Sequence, residues 1–189
     1  MTQSLKDSLR GCYEIPLFLK EGIERFENSR AAFLQSLLIP LLLIPMQLPV
    51  AGSDPELAQY PLLTVVVILS YRVIVSTAFF LGGVWLLTWP LERNDRFYRF
   101  ATASNWIGLT GYVLLLPYFI LIMTGAFSAE QLGTFLLFLI GFFMTLTAFT
   151  ARHALNVHWA IAAMIGMGAL LSEILAAIMI GGLQGPAPS

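Results

Sequence analysis

Arg72 and Glu173 are the two residues whose chemistry stands out, because each interrupts a long apolar stretch of this 189-residue chain. A charge in hydrocarbon costs on the order of 3 kcal/mol or more unless something pairs with it. An acid and a base at one depth therefore have two readings. They could form a proton-linked or substrate-contacting site. The more ordinary reading is a structural salt bridge between two helices, with Arg72 alternatively snorkelling to headgroups. A second polar group gathers near the ends of other stretches: Asn105, Thr147, Thr150, Arg152, His153, Asn156 and His158. His153 and His158 are five positions apart with no thiolate or carboxylate close in sequence, a poor metal signature, and residues meeting headgroups at loop ends are the better account of the cluster. Glu92, Arg93, Asn94, Asp95 and Arg96 read as a solvated turn of mixed charge.

Catalytic sets are missing from the pattern. There is no Gly-rich phosphate loop, no HExxH, no Gly-x-Ser-x-Gly elbow and no pair of carboxylates within one apolar stretch. The expectation is a protein without enzymatic activity, catalytic residues, cofactor or bound metal.

The elements that must carry Arg72 and Glu173 are five apolar stretches, at about 31–50, 61–89, 101–127, 132–151 and 157–183. The fold class expected is all-α, a bundle of five transmembrane helices forming one domain over 31–183. Lys and Arg outside these stretches alternate strictly. Lys6, Arg10, Lys20, Arg25 and Arg30 precede the first, Arg93, Arg96 and Arg99 follow the second, and Arg152 follows the fourth. The connections at 51–60 and 128–131 and the tail carry none. Cations are retained on the cytoplasmic face, so the expected topology is N-terminus inside, five crossings and C-terminus outside. Trp85, Trp89, Trp106 and Trp159 then all mark the inner boundary. Counting about 20 residues outward from these anchors leaves Arg72 and Glu173 each about 7–8 Å below the outer surface, at matched depth.

Residues 1–30 form an arm on the cytoplasmic side. Ile15, Leu19, Ile23 and Phe26 recur at helical spacing opposite Lys20, Glu21, Glu24, Arg25 and Glu27, with Pro16 suited to a first turn. This pattern predicts a short amphipathic helix resting in the membrane interface. Pro40, Pro45 and Pro49 predict kinks or fraying in the first crossing, since each removes a backbone donor. Residues 61–89 would reach about 43 Å against a hydrocarbon core of about 30 Å, so that helix must tilt or project. Gly108, Gly111, Gly166 and Gly168 suit close helix packing. The tail, 184–189, reads as disordered.

With 58% hydrophobic and 11% charged residues and a net charge of −1, the chain has no basic stripe for nucleic acid. The expected partners are the lipid bilayer and either other membrane proteins or further copies of the chain. The lone Cys12 can form no internal disulfide, which suits a reducing compartment, and near a membrane it is a conceivable acylation site. Residues 1–12 are polar, so no removable signal peptide is expected and the first crossing serves as the targeting signal. The proline-bearing first stretch, Asn105-Trp106 opening the third, and Tyr118-Phe119 after Pro117 resemble the Yip1-like group of small five-span membrane proteins. That resemblance implies a compact protein of the bacterial cytoplasmic membrane engaged in membrane organisation or partner binding, with no active site to transfer. The leading functional expectation is thus a scaffold, assembly factor or accessory subunit. The alternative is a small oligomeric transporter or channel subunit built on Arg72 and Glu173.

Overall fold

The computed structural model describes residues 5–52, 55–124 and 129–183, and the tail expected to be disordered lies outside them. The fold is all-helical. Helices α1 (Leu5–Glu14) and α2 (Glu21–Glu24) make the arm, and α3 (Arg30–Ser36), α4 (Leu38–Leu42) and α5 (Ile44–Ala51) follow end to end. A short α6 (Pro55–Ala58) leads to four long helices: α7 (Leu62–Thr88), α8 (Phe97–Thr124), α9 (Ala129–Ala154) and α10 (Trp159–Leu183). Among the described residues, four segments are long and apolar enough to cross a bilayer: Arg30–Pro49, Leu62–Thr88, Gly133–Ala154 and Trp159–Gly181. These apolar helices make the chain a multi-pass integral membrane protein. The third expected crossing, 101–127, falls on α8 but is not one of those four. The beginning of α8 instead buries Thr102 and Asn105 inside the protein.

Proline chemistry divides the first crossing. Helix α3 ends at Ser36, the residue whose carbonyl the ring of Pro40 would meet, and α4 ends at Leu42 beside Pro45. At the second break the Leu43 amide turns to the Pro40 carbonyl, a tighter bond that keeps the backbone satisfied without a continuous helix. Ser29 starts α3 as an N-cap, its hydroxyl accepting from the Ala32 amide.

Helix α10 packs against both α9 and α7, while α8 packs against α9, α3, α4 and α1. The close approach of α10 to α9 depends on Gly166, where an added Cβ would lie 2.5 Å from the Met144 carbonyl oxygen. Gly108 and Gly168, also expected to be packing positions, face open space instead.

The arm differs from the expected interfacial helix. Helix α1 runs over 5–14, Ile15–Leu17 is a 3-10 turn with Pro16 near its start, and Phe18 adopts a left-handed conformation (φ 56°) that reverses the chain. Ile15, Ile23 and Phe26 are fully buried within the main core, together with Phe100, Leu146 and Leu155. Only Leu19 of the expected face stays exposed. Helical spacing gave the correct set of apolar residues, but the surface they seek is the end of the bundle rather than lipid. Gly11 and Gly22 permit this fit, since a Cβ on Gly11 would strike the Phe26 ring at 2.5 Å. The Asn28 side chain then bridges the arm to the start of α8, donating to the Asp95 carbonyl and accepting from the Arg99 amide at 3.0 Å. The Arg99 guanidinium adds a bond of 3.1 Å to the Phe26 carbonyl. Glu14 and Arg25 form a two-point ion pair across the turn, and the Arg25 hydrogen bonds hold the Glu14 carboxyl below its ordinary value.

Phe26→Ala should therefore lower stability in detergent by about 3–5 kcal/mol, the usual cost of emptying a large core site. Leu19→Ala should cost less than about 1 kcal/mol. Thermal unfolding followed by tryptophan fluorescence compares the two, and equal small effects would place the arm outside the core.

Candidate functional site

Arg72 lies ten residues from the start of α7 and Glu173 ten from the end of α10. Because the two helices run in opposite directions and pack together, both side chains reach one level, about 15 Å from the same ends of their helices. The Arg72 Nε stands 3.6 Å from the Glu173 Oε2. This is ion-pair range, but too long for a good hydrogen bond. The side chains remain 45% and 52% exposed.

Glu173 also belongs to the wall of a cavity of about 420 Å³ between α4, α7, α8, α9 and α10. Most of the wall is apolar, including Pro40, Leu43, Val73, Phe80 and Phe143. Polar groups converge on it from four helices: Ser76 and Thr77 of α7, Ser104, Asn105 and Tyr112 of α8, Thr147 of α9, and Ser172 with Glu173 of α10. Two of these hydroxyls are already committed to their own helix. Ser76 donates to the Val73 carbonyl and Ser172 to that of Ala169. Ser104 differs: its hydroxyl is buried and has no hydrogen-bond partner among the described residues. Tyr112 lies in the neighbourhood of Gln47, Glu173 and Arg72. Apolar walls with a few convergent polar groups suit a small ligand that is largely apolar and makes a few hydrogen bonds.

The polar cluster expected at the helix ends separates into two structures. Asn105 is buried and donates from Nδ2 to the Ser36 hydroxyl at 2.9 Å, tying α8 to the first crossing beside the cavity. Arg152, His153 and His158 instead build the turn between α9 and α10. The Arg152 Nη1 donates to the Val157 carbonyl at 2.6 Å, and Asn156 takes the left-handed conformation (φ 53°) that closes many helices. His158 caps α10, its Nδ1 accepting from the Ala160 amide at 3.3 Å. The His153 ring packs between Phe149 and Trp159, with centroids 4.6 and 6.1 Å away. These three residues thus serve the hairpin. Among the described residues no group of three His, Cys, Asp or Glu could hold a metal ion. The turn at 92–96 is likewise structural, with Thr88 donating to Asn94 Oδ1 at 2.8 Å and Glu92 in the left-handed region.

Sequence reasoning left out Ser36, Gln47, Tyr112 and Ser172 as parts of the site. Each is a single polar residue in an apolar stretch, and spacing along one helix does not show which face meets a cavity. Cys12, conceivable as an acylation site, is buried against α8: its thiol donates to the Trp106 carbonyl, and its own carbonyl accepts from Thr110 at 2.8 Å. Burial pushes the thiol up to about 12. No protein-family model, curated protein or solved structure matches the chain.

The thiolate is the reactive form, so Cys12 should resist maleimide in the folded protein at about pH 8 and label fully once the chain is unfolded. Rapid stoichiometric labelling of folded protein would contradict the burial of α1 against α8.

Proposed function

We propose that this is a small, non-enzymatic transport or channel protein in which Glu173 couples a cavity ligand to proton movement. One observation carries the reading: Glu173 lines the cavity, and its carboxylate is within ion-pair range of Arg72. An acid placed this way has two competing attachments. When it is ionised, Arg72 holds it. When it takes up a proton, that attraction is lost and the carboxyl can donate a hydrogen bond to a ligand instead. The proline-divided first crossing supports the reading, since Pro40 and Leu43 border the cavity at the break in the helix. The ligand class is a small amphiphile, matched to hydroxyl and amide groups set in apolar walls. The charge alternation supports five crossings, the arm in the cytoplasm and the tail outside, in a bacterial cytoplasmic membrane.

The scaffold or accessory-subunit role, which the Yip1-like resemblance also implies, is favoured by a different observation. An ion pair half-exposed on the flank of a membrane helix calls for a neighbour that covers it.

In proteoliposomes carrying a pH-sensitive dye, wild-type protein should pass protons. Glu173→Gln should reduce that flux by about tenfold or more while remaining folded. Equal flux through the folded variant and the wild type would remove Glu173 from the coupling role, and with it this reading.

A further inference from the structure

The Arg72–Glu173 pair is under-satisfied in a way that specifies what covers it. A guanidinium offers five N–H donors and a carboxylate two acceptor oxygens. Between them these groups make one 3.6 Å contact, and neither has a hydrogen bond among the described residues. Both are about half exposed, on helices apolar enough to cross a bilayer. An anionic headgroup would satisfy Arg72 and repel Glu173, while a bound cation would do the reverse. The surface that satisfies both carries an acid and a base at this same depth.

We propose that the occupant is a second copy of this chain, related by a twofold axis along the membrane normal. Such an axis preserves depth and makes contacts reciprocal, so a residue meets only what lies at its own level. Arg72 and Glu173 share a level, each ten residues from the corresponding ends of α7 and α10. The face is thus self-complementary: Arg72 of each copy reaches the partner's Glu173, and two half-satisfied pairs become a closed ring of four charges. Backbone approach is also permitted. Glu173, Ala177 and Gly181 recur every fourth position on α10, all exposed, and the place a Cβ would take on Gly181 meets nothing within 4 Å. Small residues one and two turns from the charge let a second helix come close enough for the side chains to bond. Such a contact requires no ligand in the cavity.

Charge reversal in two separately tagged chains tests it. Arg72→Glu alone and Glu173→Arg alone each put like charges across the axis and should lower the dimer fraction in mild detergent by about tenfold. Co-expressed, the two variants should recover a mixed dimer, since Glu at 72 then faces Arg at 173 and native Arg72 faces native Glu173. An ion pair confined to one chain cannot be rescued by mixing, so failure of the folded variants to pair overturns the proposal. A second measurement leaves the charges intact. Ala177→Cys should give an interchain disulfide in liposomes under mild oxidant, with buried Cys12 contributing no background. Absence of that cross-link, or a monomeric wild type in the bilayer, overturns the proposal even if the charge variants do not fold.

Discussion

Hydrocarbon offers no hydrogen bonds, and most of this structure follows from meeting that constraint internally. The long segments are helical because only a helix satisfies its own backbone within one crossing. Side-chain hydroxyls in those helices fold back in the same way: Ser70 donates to Val66, Thr145 to Gly141 and Thr150 to Leu146. The proline-divided first crossing reaches the same end by switching to tighter turns at Leu43. Asn105, whose amide is too demanding for its own helix, is satisfied by Ser36 across the interface. Against this background the loosely held Arg72 and Glu173 and the unpartnered Ser104 hydroxyl are exceptions, and Glu173 and Ser104 both border the cavity.

The two ends of the bundle are built differently. At the arm end, Ile15, Ile23 and Phe26 fill the space among the 97–107 and 146–157 regions, and Asn28 and Arg99 lock the arm in place. Toward the other end a smaller cluster gathers a few residues, among them Ile44, Ala51, Val65 and Leu69. The cavity lies between, bounded near the packed end by Ser104 and Asn105 and near the looser end by Tyr112 and Glu173. Dense packing at one end resists deformation, and the smaller cluster at the other end leaves its helices less constrained.

Much of the architecture was legible in residue type alone. Runs of apolar residues marked four of the five expected crossings to within a few positions, because the length of hydrocarbon to be crossed is set by the bilayer rather than by the protein. Counting from the tryptophans put Arg72 and Glu173 at one level, and the two side chains do meet across α7 and α10. Other features could not be counted. Ile15, Ile23 and Phe26 announced an apolar face, but an apolar face is satisfied equally by lipid and by protein. The cluster of Asn105 with Arg152, His153 and His158 was a grouping by level. Residues at one level in a bundle can sit on opposite sides of it, and these take unrelated partners.

What the sequence determined by itself was hydrophobic length, the placement of the cations along the chain and the position of each charge within its apolar run. All three are energies of a residue with its solvent, and need no knowledge of neighbours. Only the tertiary structure decided that the arm seals the bundle and that Ser36 answers Asn105. It alone decided that Glu173 faces a cavity and Arg72 together, because those outcomes depend on how each helix is rotated about its axis. That rotation is set by close packing such as Gly166 against Met144, an energy between residues far apart in the chain.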